Sequence, residues 1–280
     1  MKFMFITDSH WGGRDEEGFQ MQPRYPEHTT EILQALDRVI RREAVELVIH
    51  GGDITDDGTA EQICQVAKMY REHLSAPVIL ATGNHDTQQP DCDDLWLRYA
   101  PGFFPANTMD TTLVCDGLRL DILSLHWGTD KRSWSKDAGQ KIQLAPGHLE
   151  RLRSGRQDLP RIIVMHAQIR PILPEKTHFD EPFLVPENNF SAVGDALIAE
   201  FHPAMILSGH NHLNLLDPID GTMAVSGSSL VETPFEYKLV EFTNGVLSMQ
   251  TRSLAEEINF PHNYWQHQQF VQGSEAERSF

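Results

Sequence analysis

Short apolar runs that stop abruptly at polar residues recur along the chain. Phe3 to Ile6 runs into Thr7-Asp8-Ser9-His10, and Leu47 to Ile49 into His50-Gly51-Gly52-Asp53. Val78 to Leu80 leads to Gly83-Asn84-His85-Asp86, Ile162 to Met165 ends at His166, and Met205 to Leu207 leads to Gly209-His210-Asn211-His212. Each run has the length and β-branched content of a buried strand bounded by a turn. Between them the apolar period lengthens. Ile32, Leu33, Leu36, Val39 and Ile40 give helical spacing over Glu27 to Glu43, and Ile63, Val66, Ala67, Tyr70 and Leu74 do so after Thr59. Phe190 to Phe201 is a third helix candidate, and Thr59 with Gln62 matches a capping box. Strand–helix alternation predicts βαβ units and a partly parallel sheet. The regions 111–126 and 213–250 instead suggest consecutive strands turning at Asp116-Gly117, Asp220-Gly221 and Asn244-Gly245, hence a second, more antiparallel sheet.

Residues 1–255 carry this pattern and form the expected domain; 256–280 read as a polar C-terminal tail. Its aromatics Phe260, Tyr264, Trp265 and Phe270 are expected to pack on the body, and Gly273 to Phe280 to be loose. Of 280 residues, 40% are hydrophobic and 22% charged, enough to build a sizeable core. The 40 acidic against 23 basic residues leave a formal charge of -17, which argues against extended nucleic acid as a partner. Three cysteines without a CxxC suggest neither a disulfide framework nor a zinc finger. The N-terminus reads as a first strand rather than a signal peptide, and no run reaches the length of a membrane span. A cytoplasmic protein follows as the expectation, with homo-oligomers left open.

The chemistry sits at the polar ends of the strands, where parallel sheets gather their ligands. Those ends supply Asp8, His10, Asp53, Asn84, His85, His166, His210 and His212. Asp8 and His10 are two apart, as are His210 and His212, so in extended backbone each pair points to one side. Glycines 51, 52, 83 and 209 suit sharp turns and close approach of a metal or phosphate. Imidazole and oxygen donors without thiolate favour manganese, iron or zinc. The donors are too many for one tetrahedral ion and enough for two that share a carboxylate. Two such ions can activate a bridging water and clamp phosphoryl oxygens, which is the chemistry of phosphate-ester cleavage.

The ordered series Thr7-Asp8-Ser9-His10, Gly52-Asp53, Gly83-Asn84-His85-Asp86, His166 and Gly209-His210-Asn211-His212 resembles the calcineurin-like metallophosphoesterase superfamily, whose pattern is D-x-H, G-D, G-N-H-[DE], H, G-H-x-H. Any one block is weak, whereas five in order across roughly residues 1–240 are specific. The resemblance implies an α+β fold of α/β type, a four-layer αββα sandwich with two mixed sheets flanked by helices. It implies one divalent ion on Asp8, His10, Asp53 and His212, and a second on Asp53, Asn84, His166 and His210, with Asp53 bridging. It makes the bridging hydroxide the nucleophile, makes His85 the general acid rather than a ligand, and gives Asp86 the task of orienting a neighbouring histidine. Size, ligand set and the segment Ser226 to Val240 (SGSSLVETPFEYKLV) further resemble the bacterial cyclic-nucleotide and glycerophosphodiester phosphodiesterases. Many of those carry His-His-Pro-Pro at the fourth block, where this chain has His166-Ala167-Gln168-Ile169-Arg170-Pro171. That departure borders the substrate and leaves the metal ligands untouched.

The expected substrate is therefore a small phosphate ester, nucleotides among the candidates. Rival readings are a nucleotide-sugar or lipid pyrophosphatase, which should show apolar residues around loop 11–27, a DNA-repair nuclease, which the acidic balance disfavours, and a non-catalytic scaffold that binds no metal. His126 could line the pocket or be a core histidine, and His50 belongs inside its strand. His28, His73, His148, His178, His202, His262 and His267 default to surface or helix ends. Arg14 and Arg170 could reach a phosphate but read first as solvated loop charges. Trp11, Trp127 and Trp134 could stack on a ring and read first as local packing.

Overall fold

The computed structural model describes residues 1–13, 19–128, 131–135, 139, 141–177 and 189–280. Alternation along the strands sorts the core into layers. In β1 (Lys2–Ile6), Phe3 and Phe5 face one side while Met4 and Ile6 face the other. In β2 (Leu47–His50), Leu47 and Ile49 take the first side and Val48 the second. Met4, Ile6 and Val48 pack against α1 (Thr29–Glu43), α2 (Ala60–His73) and α3 (Cys92–Tyr99). Phe3, Phe5 and Ile49 meet a second sheet through Ile162 and Val164 of β8 (Arg161–Val164) and Met205 and Leu207 of β9 (Met205–Ser208). The opposite face of that sheet, Ile163 and Ile206, packs on Leu152 of α4 (Pro146–Arg153) and on Phe190, Leu197 and Ile198 of α5 (Phe190–Phe201). Strands apolar on both faces must be covered twice, so the order is helices, sheet, sheet, helices.

The first sheet has the order β13-β12-β1-β2-β3, with β3 at Val78–Leu80, β12 at Glu236–Thr243 and β13 at Val246–Ser253. Its β1-β2 and β2-β3 pairs are parallel and its β1-β12 and β12-β13 pairs antiparallel. The second has the order β10-β11-β9-β8-β5-β4, with β4 at Thr111–Cys115, β5 at Leu118–Ile122, β10 at Leu215–Ile219 and β11 at Thr222–Ser226. Short β6 (His126–Trp127) and β7 (Ile142–Gln143) pair separately. All three expected tight turns form, with both central residues at positive φ in Asp116-Gly117, Asp220-Gly221 and Asn244-Gly245.

The partition of strands differs from the sequence expectation. The second sheet is mixed, with β5-β8, β8-β9 and β9-β11 parallel, and the 236–253 hairpin joins the first sheet instead. Tyr237 and Leu239 face the helix-side core while Val240 and Phe242 face the inter-sheet core, so β12 needs cover on both faces, as β1 does. Helices α3 and α4 carry too few turns for periodicity to reveal. At α2 the Thr59 hydroxyl accepts from the Gln62 amide at 3.3 Å, but the Gln62 side chain turns to Asp57, so the cap is half a capping box.

The last residues are not loose. Met249 and Phe280 exchange backbone hydrogen bonds of 3.0 and 3.1 Å, and Arg278 Nη2 lies 2.7 Å from Glu236 Oε1. They thereby cover part of the edge of β13. Among the described residues no helix is long and apolar enough to cross a membrane.

The parallel strands β1, β2, β3, β8 and β9 all end at one rim of the sandwich. The loops leaving them, with the loop after β11, build the site described next.

Candidate metal centre

The structure brings together Asp8, His10, Asp53, Asn84, His166, His210 and His212. Ligand atoms of Asp8, His10 and His212 form one convergent group, and those of Asp53, His166 and His210 form another. In the first, His10 Nε2 lies 3.1 Å from His212 Nε2 and 3.9 Å from Asp8 Oδ1, and His212 Nε2 lies 3.4 Å from Asp8 Oδ1. In the second, His166 Nε2 lies 3.1 Å from Asp53 Oδ2 and 3.3 Å from His210 Nδ1, which is itself 3.1 Å from Asn84 Oδ1. Asp53 Oδ2 also lies 3.9 Å from His10 Nε2, so this carboxylate stands between the groups.

The backbone achieves this in an unexpected way. Asp8, His10, Asp53, His210 and His212 have φ of 56°, 45°, 52°, 76° and 54°, all left-handed rather than extended. The argument that residues two apart share a side therefore does not apply. It fails visibly for the fifth block, where His212 turns to Asp8 and His10 while His210 turns to His166 and Asn84. Such φ values cost a non-glycine residue roughly 1–2 kcal/mol each. Hydrogen bonds between loops hold them: Asp8 N donates to Gly52 O and His10 N to Asp53 O, both at 2.9 Å, and Ser229 Oγ donates to Asp8 O at 2.7 Å. Gly83 and Gly209 must lack a side chain for a related reason. A Cβ would stand 2.2 Å from Asp53 Oδ1 at the first and 2.0 Å from Thr7 Oγ1 at the second.

The outer nitrogens of three imidazoles are already committed. His10 Nδ1 lies 3.1 Å from Asp56 Oδ1, His212 Nδ1 lies 2.5 Å from Glu232 Oε1, and His166 Nδ1 donates to Gly51 O at 2.8 Å. With an acceptor on the outside, a neutral imidazole carries its proton there and presents a bare lone pair inward. His10 and His212 would then face each other lone pair to lone pair across 3.1 Å, beside a carboxylate. That is repulsive unless positive charge lies between them. Two donors each about 2.1 Å from a common ion stand about 3.0–3.4 Å apart, the spacing of His10–His212, His212–Asp8, His166–Asp53 and His166–His210, while His10–Asp8 is wider at 3.9 Å. The donor set is able to bind metal ions.

Without cations, protons must supply the charge. Burial disfavours the imidazolium of His166, but Asp53 and Asp8 outweigh it and raise His166 to about 9. Burial likewise opposes charge on His212, and Glu232 and Asp8 raise it to about 10. Burial, then the charge on His166, pushes His210 down to about 3. Burial would raise the Asp8 carboxyl, yet His212 and His166 hold it low, and for Asp53 the same balance goes to His166 and His85.

His85 sits at the rim with its side chain 31% exposed. Its ring meets that of His10 edge to face at 4.7 Å, its Nδ1 donates to Asp56 O at 2.7 Å, and its amide donates to Asp53 Oδ1 at 2.8 Å. Its ligand atom also falls in a group with His10 and Asp53. Among the described residues Asp86 orients no histidine. Its Oδ1 accepts from the Thr55 amide and hydroxyl, both at 2.9 Å, and its Oδ2 from the Gly83 amide at 3.0 Å. It ties the second and third loops together, and burial, then Asp53, raises it to about 6. The orienting carboxylates are Asp56 and Glu232. Asp56 follows Asp53 on the same loop, and Glu232 is an isolated acid in a run of small and apolar residues. A buried acid needs a partner, which was the available signal.

The other candidates fall elsewhere. His50 ends β2, with Nδ1 accepting from the Gly52 amide at 3.2 Å and Nε2 at 2.8 Å from Ser9 Oγ. His126 packs edge to face with His148 at 5.4 Å, outside both groups. His148 is buried, not at the surface, with Nδ1 accepting from the Ala145 amide. Arg170 pairs with Asp195, while Arg14 and His178 lie outside the described residues. Trp127 is buried against His166 and His210, Trp11 donates to Gln65, and Trp134 stacks 6.1 Å from His85. After His166, Ala167 enters the core with α5, and Gln168 accepts from Asn211 of the fifth block at 3.2 Å.

A protein-family model described as calcineurin-like phosphoesterase matches residues 1–214. No curated protein sequence matches the chain. Among solved structures, a dimetal phosphatase from Danio rerio is similar over 90% of this chain and 96% of its own, with a TM-score of 0.65 and 14% identity. TT1561 of Thermus thermophilus is similar over 90% of this chain and 98% of its own, with a TM-score of 0.57 and 12% identity. GAP50, the anchor in the inner membrane complex of Plasmodium, is similar over 94% and 88%, with a TM-score of 0.58 and 12% identity. Identities this low speak for a shared fold.

The raised imidazoles set a sign for pH. Because His166 and His212 titrate above 6.5 when folded, their protons favour the metal-free fold below that value and are given up as the pH rises through about 9 and 10. A cation must displace them. Its affinity should therefore fall about tenfold per pH unit and per displaced proton as the pH drops from 8 to 6. Calorimetric titration in buffers of different ionisation enthalpy measures the protons released, and binding with no release would contradict this protonation pattern.

Proposed function

The chain belongs to the calcineurin-like phosphoesterase family and is a phosphoester hydrolase, and from that premise we propose that it is a phosphodiesterase working with two divalent cations. One cation would be held by Asp8, His10, Asp53 and His212, the other by Asp53, Asn84, His166 and His210, with Asp53 shared. The observation that carries this reading is the set of three imidazoles whose outer nitrogens are bound to Asp56, Glu232 and Gly51 O, so that their inner nitrogens converge on two buried carboxylates. Donors of imidazole, carboxylate and amide oxygen favour manganese, iron or zinc. Bound there, the cations would lower the pKa of a water and neutralise phosphoryl oxygens.

The rest is the work of the chain's own side chains. His85 protonates the leaving oxygen. With Nδ1–H held by Asp56 O, it would do so as the imidazolium, which carries a second proton on Nε2. Asp56 serves two histidines, its carboxylate setting His10 and its carbonyl setting His85. Asp86 keeps the Thr55 and Gly83 loops in register beneath Asp53. The diester preference rests on the likeness of residues 226–240 to bacterial phosphodiesterases, and that segment supplies Ser229 and Glu232 to the centre. A second reading, a nucleotide-sugar or lipid pyrophosphatase, is favoured by Phe19, a residue 44% exposed whose ring stands 5.1 Å from that of His212. A cytoplasmic location fits the cysteine pattern.

Turnover of bis-p-nitrophenyl phosphate should exceed that of p-nitrophenyl phosphate and of a nucleotide-sugar pyrophosphate at equal concentration. A dominant pyrophosphate rate would move the assignment to the second reading, and no metal uptake with no turnover would leave only a scaffold. Asp53→Ala should empty both cation positions and abolish activity, read as metal per chain by elemental analysis; near-normal turnover would contradict a shared carboxylate. His85→Ala should keep both ions and lose about 10²–10⁴-fold in kcat, and a metal-depleted variant would make His85 a ligand instead.

A further inference from the structure

Residues 265–273 lie beyond the stretch that the family model matches, yet they are built into the outside of the metal centre. His212 Nδ1 rests on Glu232 Oε1, and Glu232 Oε2 accepts from the amides of Met21 and Gln22 at 3.0 and 2.8 Å. The fully buried Gln22 side chain then makes three hydrogen bonds to the C-terminal segment. Its Nε2 donates to Trp265 O at 3.1 Å and Gln268 O at 3.0 Å, and its Oε1 accepts from the Trp265 amide at 3.0 Å. A second route ends two residues past His212. The Asn214 amide donates to Val271 O at 2.9 Å, and its side chain donates to Glu236 Oε2 and accepts from Lys238 Nζ, both at 2.5 Å. Between the two routes Val271 inserts into a small apolar cluster with Met21, Ile172, Leu213 and Leu215.

We propose that residues 265–273 act as a positioning strap for His212 and thereby set the affinity of the cation position formed by Asp8, His10 and His212. The proposal rests on the two-cation reading above. Both chain segments that flank the Glu232–His212 pair, 21–22 and 213–214, are fastened to the strap, so its position fixes where the His212 nitrogen points. The other position is fastened elsewhere: His166 to Gly51 O, His210 to Asn84 and to the rings of Trp127 and Phe190. Among the described contacts none joins it directly to 265–273. Loosening the strap therefore acts on one cation and spares its neighbour. Linkage makes the effect reciprocal, since a cation on His212 must also tighten the strap.

The test uses the full chain, stripped of metal and titrated with Mn²⁺ by calorimetry, with hydrogen exchange followed in parallel. Wild type should bind two ions. Gln22→Ala should weaken one event about 10–100-fold, as loss of an outer partner does, and leave the other unchanged. The weakened event should be the one that His212→Ala abolishes. In wild type, Mn²⁺ should slow exchange across 265–273 and at the Asn214 amide. Equal weakening of both events, unchanged affinities, or a strap whose exchange ignores the metal would each overturn the proposal. If Gln22→Ala does not fold, Val271→Ala must show the same one-sided loss, and two unaltered events there count against the strap. A wild-type chain that binds no Mn²⁺ removes the two-cation reading and the strap together; two tight events with an unaffected Gln22→Ala remove the strap alone.

Discussion

Asp8 and Asp53 are buried side by side where two sheets meet, and their demand for positive charge governs what surrounds them. Neither carboxylate is exposed, and Asp8 also accepts from the Thr7 hydroxyl and the His210 amide. Hydrogen bonds of that kind offset part of the desolvation of an anion but not its charge. Four imidazoles and one carboxamide complete the shell. Every donor in it is aimed inward, so the centre is stable only with protons or cations inside. A salt bridge would have satisfied the same carboxylates with an arginine and closed the space. Imidazoles satisfy them and can exchange a proton for a metal.

The strained loops follow from that demand. Five of the converging residues have left-handed backbone, which is costly singly and tolerable here because each loop is bonded to the next. The β1 loop is laced to the β2 loop, the β2 loop to the β3 loop through Asp86, and the fifth block to the first through Asp8. Beneath them a neutral, buried relay of Gly52, His50, Ser9 and Tyr70 holds Ser9 between the two ligands of the first block. Burial lowers His50 to about 3, so this relay stays uncharged next to a centre that is full of charge.

The four-layer sandwich makes the convergence possible. Parallel strands from both sheets end at the same rim, so loops far apart in sequence face each other across the inter-sheet core of Phe3, Phe5, Ile49, Ile162 and Leu207. The C-terminal residues add a second fastening from outside this framework. A fold of this kind is general, and the residues at the rim decide its chemistry.

Much of this was written into the sequence. Strand–helix alternation and three tight turns follow from local propensity and period, and the converging side chains announce themselves because each sits where an apolar run stops. Local signals have a short reach, however. They could not tell which sheet would receive the 236–253 hairpin, since β12 is apolar on both faces and fits either until neighbours compete for it. They assumed extended backbone at Asp8-Ser9-His10 and His210-Asn211-His212, whereas Asp8, His10, His210 and His212 are left-handed, held by bonds to other loops that divide His210 from His212. They gave Asp86 a histidine partner that belongs to Asp56 and Glu232, and treated the end of the chain as loose. Partner choice among buried polar groups, and the docking of a polar tail, are settled by which atoms meet after folding, a property of three-dimensional proximity that no window along the chain contains.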